Sequence, residues 1–190
     1  MDLTNLRKLL YTITKRYFVN SEVRWGEQNS GASHDLPFIR LKLENVKREQ
    51  FPHEAVSDGF ITRHIPSTVI FSVELFTHGQ EVDTGSGKYY INTATNDLEE
   101  FVNYLDSHYV NWICLENNIA IVQAGDVMET TAAMDANYEY RALQRFEIFF
   151  TQVSGGYTGV TESTASGGNS ELFDLNDSYF TEIEINEEEP

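Results

Sequence analysis

The chain has 190 residues, 13 Lys and Arg against 30 Asp and Glu, a formal net charge of −17 and one cysteine. A domain of about this size buries roughly 70% of its unfolded surface without staples. The single Cys114 rules out a disulfide framework within the chain and reads as a buried structural thiol in a reducing compartment. So strong a negative charge opposes binding to a phosphate backbone, which relies on Lys and Arg, so sequence-specific DNA or RNA binding is not expected. No window approaches eighteen apolar residues, so the expectation is a soluble protein with neither signal peptide nor membrane span.

In chain order, Leu3, Leu6, Leu9, Leu10, Ile13 and Tyr17 recur at helical spacing behind Asp2 or Thr4 as a cap, which predicts an amphipathic helix over 3–18. Strands follow at "SEVRWGE" and "LPFIRLKLENVKRE"; in the second, Ile39, Leu41 and Leu43 alternate with Arg40, Lys42 and Glu44, the pattern of a half-solvated antiparallel sheet. Residues 51–66 lack a period and are bounded by prolines, so they read as a long excursion before a central strand at 67–77, apolar on both faces. Residues 78–96 read as a second long connection. Asn96 and Glu99 resemble a capping box, and Leu98, Phe101, Val102, Leu105, Tyr109 and Trp112 predict a second core-packing helix over 97–112. "NNIAIVQAGDV" is a short strand, and "NYEYRALQRFEIFFTQ", 137–152, is the last one.

That last strand places Tyr138, Tyr140, Ala142, Phe146, Ile148 and Phe150 on one face. The other face holds Glu139, Arg141, Arg145 and Glu147 with Leu143 and Phe149, charged first and apolar later. Such a strand belongs to a sheet with helices on one side and something else, another subunit included, on the other. The expected fold is therefore α+β, a mostly antiparallel sheet with two main helices on one face in the order α-β-β-β-α-β-β. The domain is expected to span 1–153, with an extended arm over 154–190. The arm begins Gly- and Ser-rich and holds nine acids and no Lys or Arg, yet it also carries Leu172, Phe173, Leu175, Tyr179, Phe180, Ile183 and Ile185. A purely solvating acidic tail would lack these anchors.

Catalytic constellations are poor. "GSGKYY" is similar to a phosphate loop, but Val82 stands where the first glycine is needed and Tyr89 replaces the Ser or Thr after Lys88. His34, His53, His64, His78 and His108 are dispersed, with no two at helical ligand spacing. Asp97, Glu99 and Glu100 are better explained as acids at a helix N-terminus than as an acid/base pair. No enzyme, metal or cofactor is expected.

Five segments, "MDLTNLRKLLYTITKRYF", "DLPFIRLKLENVKRE", "STVIFSVELFTHG", "TNDLEEFVNYLDS" and "YEYRALQRFEIFFT", resemble in this order the neck or tail terminator (tail completion) proteins of tailed bacteriophages, over about 1–152. The resemblance implies a virion structural protein, made in the bacterial host cytoplasm and located at the head-tail junction. It implies a homo-oligomer, a six-membered ring that caps the tail tube, joins it to the head connector and lets genomic DNA pass through its lumen without specific binding. Its partners would be tail tube, sheath and head-connector proteins, with no membrane. Another head-tail connector or tail-tube component is the alternative. Lys88, Tyr89, Tyr90, Arg141, Arg145, Phe173, Tyr179 and Phe180 are the candidate assembly interface.

Overall fold

Asp2 starts the first helix, α1 (Leu3–Tyr17): its carboxylate accepts from the backbone N–H of Asn5 at 2.6 Å, and Lys15 and Arg16 sit in the last turn, where cations favour the helix dipole. The structure, a computed structural model, describes residues 1–26, 35–49, 51–57, 60–134, 137–158 and 162–163. The chain forms two units, Met1–Arg48 with Ser67–Phe150, and Glu49–Pro66 with Thr151–Pro190. Each is described by itself.

In the first unit the sheet runs β1 (Glu22–Trp25), β2 (Phe38–Arg48), β4 (Phe60–Thr77, from Ser67 on in this unit) and β10 (Asn137–Thr158, up to Phe150). Along β10 lie β7 (Ile119–Gln123), β8 (Met128–Glu129) and β9 (Ala132–Met134), all antiparallel to it. The β2–β4 ladder is antiparallel, with a register shift between Glu44 and Lys47 where Asn45 takes a positive φ of 55°. The first pair, β1 with β2, is parallel, so the sheet is mixed and, as expected, mostly antiparallel.

One face of this sheet, built from Ile39 and Leu41 of β2, Val69, Phe71, Val73 and Leu75 of β4 and Ala142, Phe146, Ile148 and Phe150 of β10, shares a single core with the helices. Leu6, Leu10 and Ile13 of α1 enter it at the expected spacing. Thr14 is buried with them and remains satisfied because its hydroxyl donates to the Leu10 carbonyl at 2.8 Å. Phe101 meets Phe146 edge-on, centroids 6.2 Å apart, and each is fully buried, an arrangement that stabilises by about 2–3 kcal/mol per ring.

The fold class is α+β, as expected, but the second helical stretch divides. It forms α2 (Ala94–Leu105) and α3 (His108–Glu116), giving three helices among the described residues. Asp106 is the C-cap of α2 and Ser107 the N-cap of α3, its Oγ accepting from the Val110 N–H at 3.4 Å. The break takes Trp112 off the expected core stripe and leaves it 50% exposed, while Val110 and Cys114 go inward. The helix also begins two residues before Asn96, with Thr93 at its N-cap, so the expected capping box is not used.

Both stretches read as connections contain strands. Gln80–Asp83 (β5) and Lys88–Ile91 (β6) make a two-stranded antiparallel sheet of their own. In the second unit, β3 (His53–Ser57) pairs antiparallel with the start of β4, and Glu54 binds Arg63 at 2.7 Å. Alternation within each piece was masked by Pro52 and Pro66; the missed signal is Asp58–Gly59, a hairpin dipeptide that lies outside the described residues. At the far end of β10, Tyr157 and Thr158 pair with Ser163 and Glu162 of β11 (Glu162–Ser163).

Candidate functional site

The face of β10 that turns away from the helices carries the odd-numbered residues, and the structure separates its two arginines. Arg141 is held from two sides: its Nε donates to Glu139 at 2.6 Å, and its guanidinium lies 5.0 Å from the ring centre of Phe76, which stacks on Phe38 at 4.2 Å. Arg40 covers the same ring at 5.2 Å and pairs with Glu74, the residue opposite it in the ladder. This end of the face is closed by its own cross-strand partners, which is why Phe76, polar-side by position, is only 4% exposed.

Arg145 differs. It is exposed, and no carboxylate among the described residues pairs with it. Around it, besides Glu147 two residues along, the face carries exposed apolar side chains: Phe149 is 44%, Val122 of β7 48% and Met128 of β8 41% exposed. The ladders put Val122 opposite Glu147, Ala120 opposite Phe149 and Met128 opposite Leu143, so these residues share the outer side. Beyond them β7 is an edge strand, with no second neighbour among the described residues.

The hairpin β5–β6 is the other feature without cover. Tyr89, Tyr90 and Ile91 are about half exposed, and among the described residues both strands pair only with each other. An isolated two-stranded hairpin is marginal in water, so the local devices that hold it matter. Lys88 binds Glu81 at 2.5 Å, and Tyr90 donates to the same carboxylate at 3.1 Å. At the tip the Thr84 N–H bonds the Gly87 carbonyl at 3.0 Å, which makes "GSGK" a turn between strands and not a cradle before a helix. At the base Gly79 has φ 75°, and a Cβ there would meet the Ile91 carbonyl oxygen at 2.1 Å. Tyr140 donates from its hydroxyl to the Tyr90 carbonyl at 3.3 Å, and Asn92 from its amide to Glu129 at 2.7 Å. Lys88, Tyr89 and Tyr90 are thus brought together on a presented hairpin, Arg141 and Arg145 on the outer sheet face, and Phe173, Tyr179 and Phe180 lie outside the described residues.

Groups whose protonation is displaced are all pushed toward the neutral form. Burial raises the Cys114 thiol, as the sequence reading of a buried structural thiol requires. Burial, then Glu100 and Asp97, raise Tyr17; burial and then Tyr109 raise Tyr104, against Arg16. His53 and His64, distant in sequence, face each other across β3–β4, a pairing invisible until the hairpin is known. Among the described residues no three His, Cys, Asp or Glu side chains are grouped so as to hold a metal, and no helix is long and apolar enough to cross a membrane.

A mixed α+β sheet with one face in the core, and a second side plus a hairpin open to contact, is the construction of a protein that works through its surfaces. The family of phage neck terminator proteins matches the chain over residues 4–171, and the chain belongs to that family. It is therefore a phage neck protein, a structural component of the virion that works with other head and tail proteins. The match extends past residue 152, where the sequence resemblance ends, into the Gly- and Ser-rich stretch. A comparison with curated proteins returned no match.

Proposed function

We propose that this protein assembles into a ring, six-membered as the sequence resemblance implies, which terminates the tail tube and joins it to the head connector while DNA passes through its lumen. The observation that carries the ring is the presence of two unlike uncovered surfaces in one unit, the Tyr89–Tyr90–Ile91 hairpin and the outer sheet face around Arg145. Ring closure needs a heterologous interface, two different patches on each subunit, and a two-fold dimer would need only one. Lys88, Tyr89 and Tyr90 form one contact and Arg145 belongs to the other; Arg141 acts within its own sheet. Residues 154–190 act as an arm, with Phe173, Tyr179 and Phe180 as its anchors on a neighbouring protein. The net charge of −17 supports an acidic lumen that repels phosphates, so the genome slides without sticking.

Light scattering and electron microscopy of the purified protein, alone and added to completed tails, test this reading. A closed ring of fixed copy number at the tail end is expected. Open filaments of indefinite length would identify a tube component instead, and duplex DNA binding at submicromolar, strongly salt-dependent affinity would overturn the acidic lumen.

A further inference from the structure

The sheet edge at β7 is undefended. Ile119–Gln123 reads IAIVQ, without charge or proline, and among the described residues nothing pairs with the edge turned away from β10. Native sheets guard such edges with Lys, Pro, a bulge or a covering element, because an open edge recruits another strand. The two sides of this edge differ. On the outer side stand the exposed Val122, with Glu147 opposite it on β10, and Arg145, level with Ala124 and paired with no carboxylate among the described residues. On the inner side Ile121 is half-buried, and α3, which packs on β7, leaves Leu115 77% exposed. A strand that fits here has polar, solvated side chains on the outer face and apolar side chains on the inner one.

The chain contains one: Thr181-Glu182-Ile183-Glu184-Ile185, as long as β7 and strictly alternating. We propose that residues 181–185 of one copy add as a strand to β7 of a second copy, with Glu182 and Glu184 on the outer, solvated side and Ile183 and Ile185 on the inner side beside Ile121 and Leu115. Main-chain bonds to the open edge hold such a strand in place, and its side chains set specificity. A slip of one residue would exchange the two faces, putting the isoleucines on the solvated outer side, so the register is specified by the apolar contact on the inner side. Reach is sufficient: the chain from Ser163 to Thr181 spans up to about 60 Å, against a radius of gyration of about 15 Å for a 150-residue domain. This rests on the reading that copies assemble side by side.

The test uses variants of the full chain that each add one cysteine to the buried Cys114, with the parent protein as the control. Val122→Cys protein is mixed with Glu184→Cys protein, oxidised and run without reductant; both share the outer side, and a disulfide between chains is expected. Val122→Cys mixed with Ile183→Cys, on opposite sides, should cross-link at least about tenfold less under the geometric limits on disulfides. Equal cross-linking in the two mixtures overturns the proposal. So does a bond found only within a chain that carries both substitutions, or capture of Tyr89→Cys in place of Glu184→Cys. Light scattering on the same samples separates the layers: rings without a cross-link sink the strand addition and leave the ring standing, whereas monomers without a cross-link sink both.

Discussion

Reversing charge at Arg141 and at Arg145 should have opposite consequences, although the two lie four residues apart on one face of β10. Arg141 binds Glu139 with the side chains 24% and 22% exposed and stacks over Phe76. An ion pair about a quarter exposed stabilises by up to about 1 kcal/mol and a cation–π contact by about 0.5–1 kcal/mol. Arg141→Glu loses both and sets a second carboxylate beside Glu139, so the expected cost is about 1–2 kcal/mol, a fall in Tm of roughly 2–8 °C for a chain this long. Arg145→Glu loses no partner present within the described chain and should stay within about 0.5 kcal/mol of the parent, yet it places an acid where a neighbouring copy meets the sheet. Circular dichroism melts and light scattering on each single variant read the two effects separately. A lower melt with rings retained for Arg141→Glu, and an unchanged melt with weakened rings for Arg145→Glu, is the expected pair. Equal melts for the two variants would refute the assignment of Arg141 to the sheet, and unchanged rings in Arg145→Glu would remove that residue from the interface.

Phe146→Ala and Ile148→Ala should each destabilise the protomer by about 2–5 kcal/mol, measured by urea unfolding, because both are fully buried in the shared core; a cost below 1 kcal/mol would show that the site collapses around the loss. Gly79→Ala forces a left-handed residue to carry a Cβ against the Ile91 carbonyl, and should loosen the β5–β6 hairpin by about 1–3 kcal/mol, read as faster proteolysis between 80 and 91 with the main melt little changed. The Cys114 thiol has its pKa raised by burial above a usual 9.0, so its contribution to stability is fully present below the unfolded-state pKa and is lost as pH rises through the folded value. The parent's Tm should therefore fall more steeply from pH 8 to 10 than that of Cys114→Ala, whatever their difference at neutral pH; parallel curves would contradict the burial.

Much of the fold was legible because period is local chemistry. The helix at 3–17, the alternation of Ile39 and Leu41 with Arg40 and Lys42, and the inward face of Phe146, Ile148 and Phe150 follow from which side chains must leave water, and the structure keeps all three. Gln144 shows the limit of that logic. It sits on the same inward face, 0% exposed, and only the loop after β7 explains it, since its amide donates to the Gly125 carbonyl at 3.0 Å. Other features were decided by pairing across the chain: that β1 runs parallel to β2, that His53 faces His64, and that 78–96 holds a hairpin clamped at Gly79. The two arginines were alike as residues on a strand. What divided them was what the neighbouring strands set beside each, the Phe76 ring for one and the exposed Val122 and Met128 for the other, because hydrogen-bonded register is a relation between distant segments that no single segment encodes.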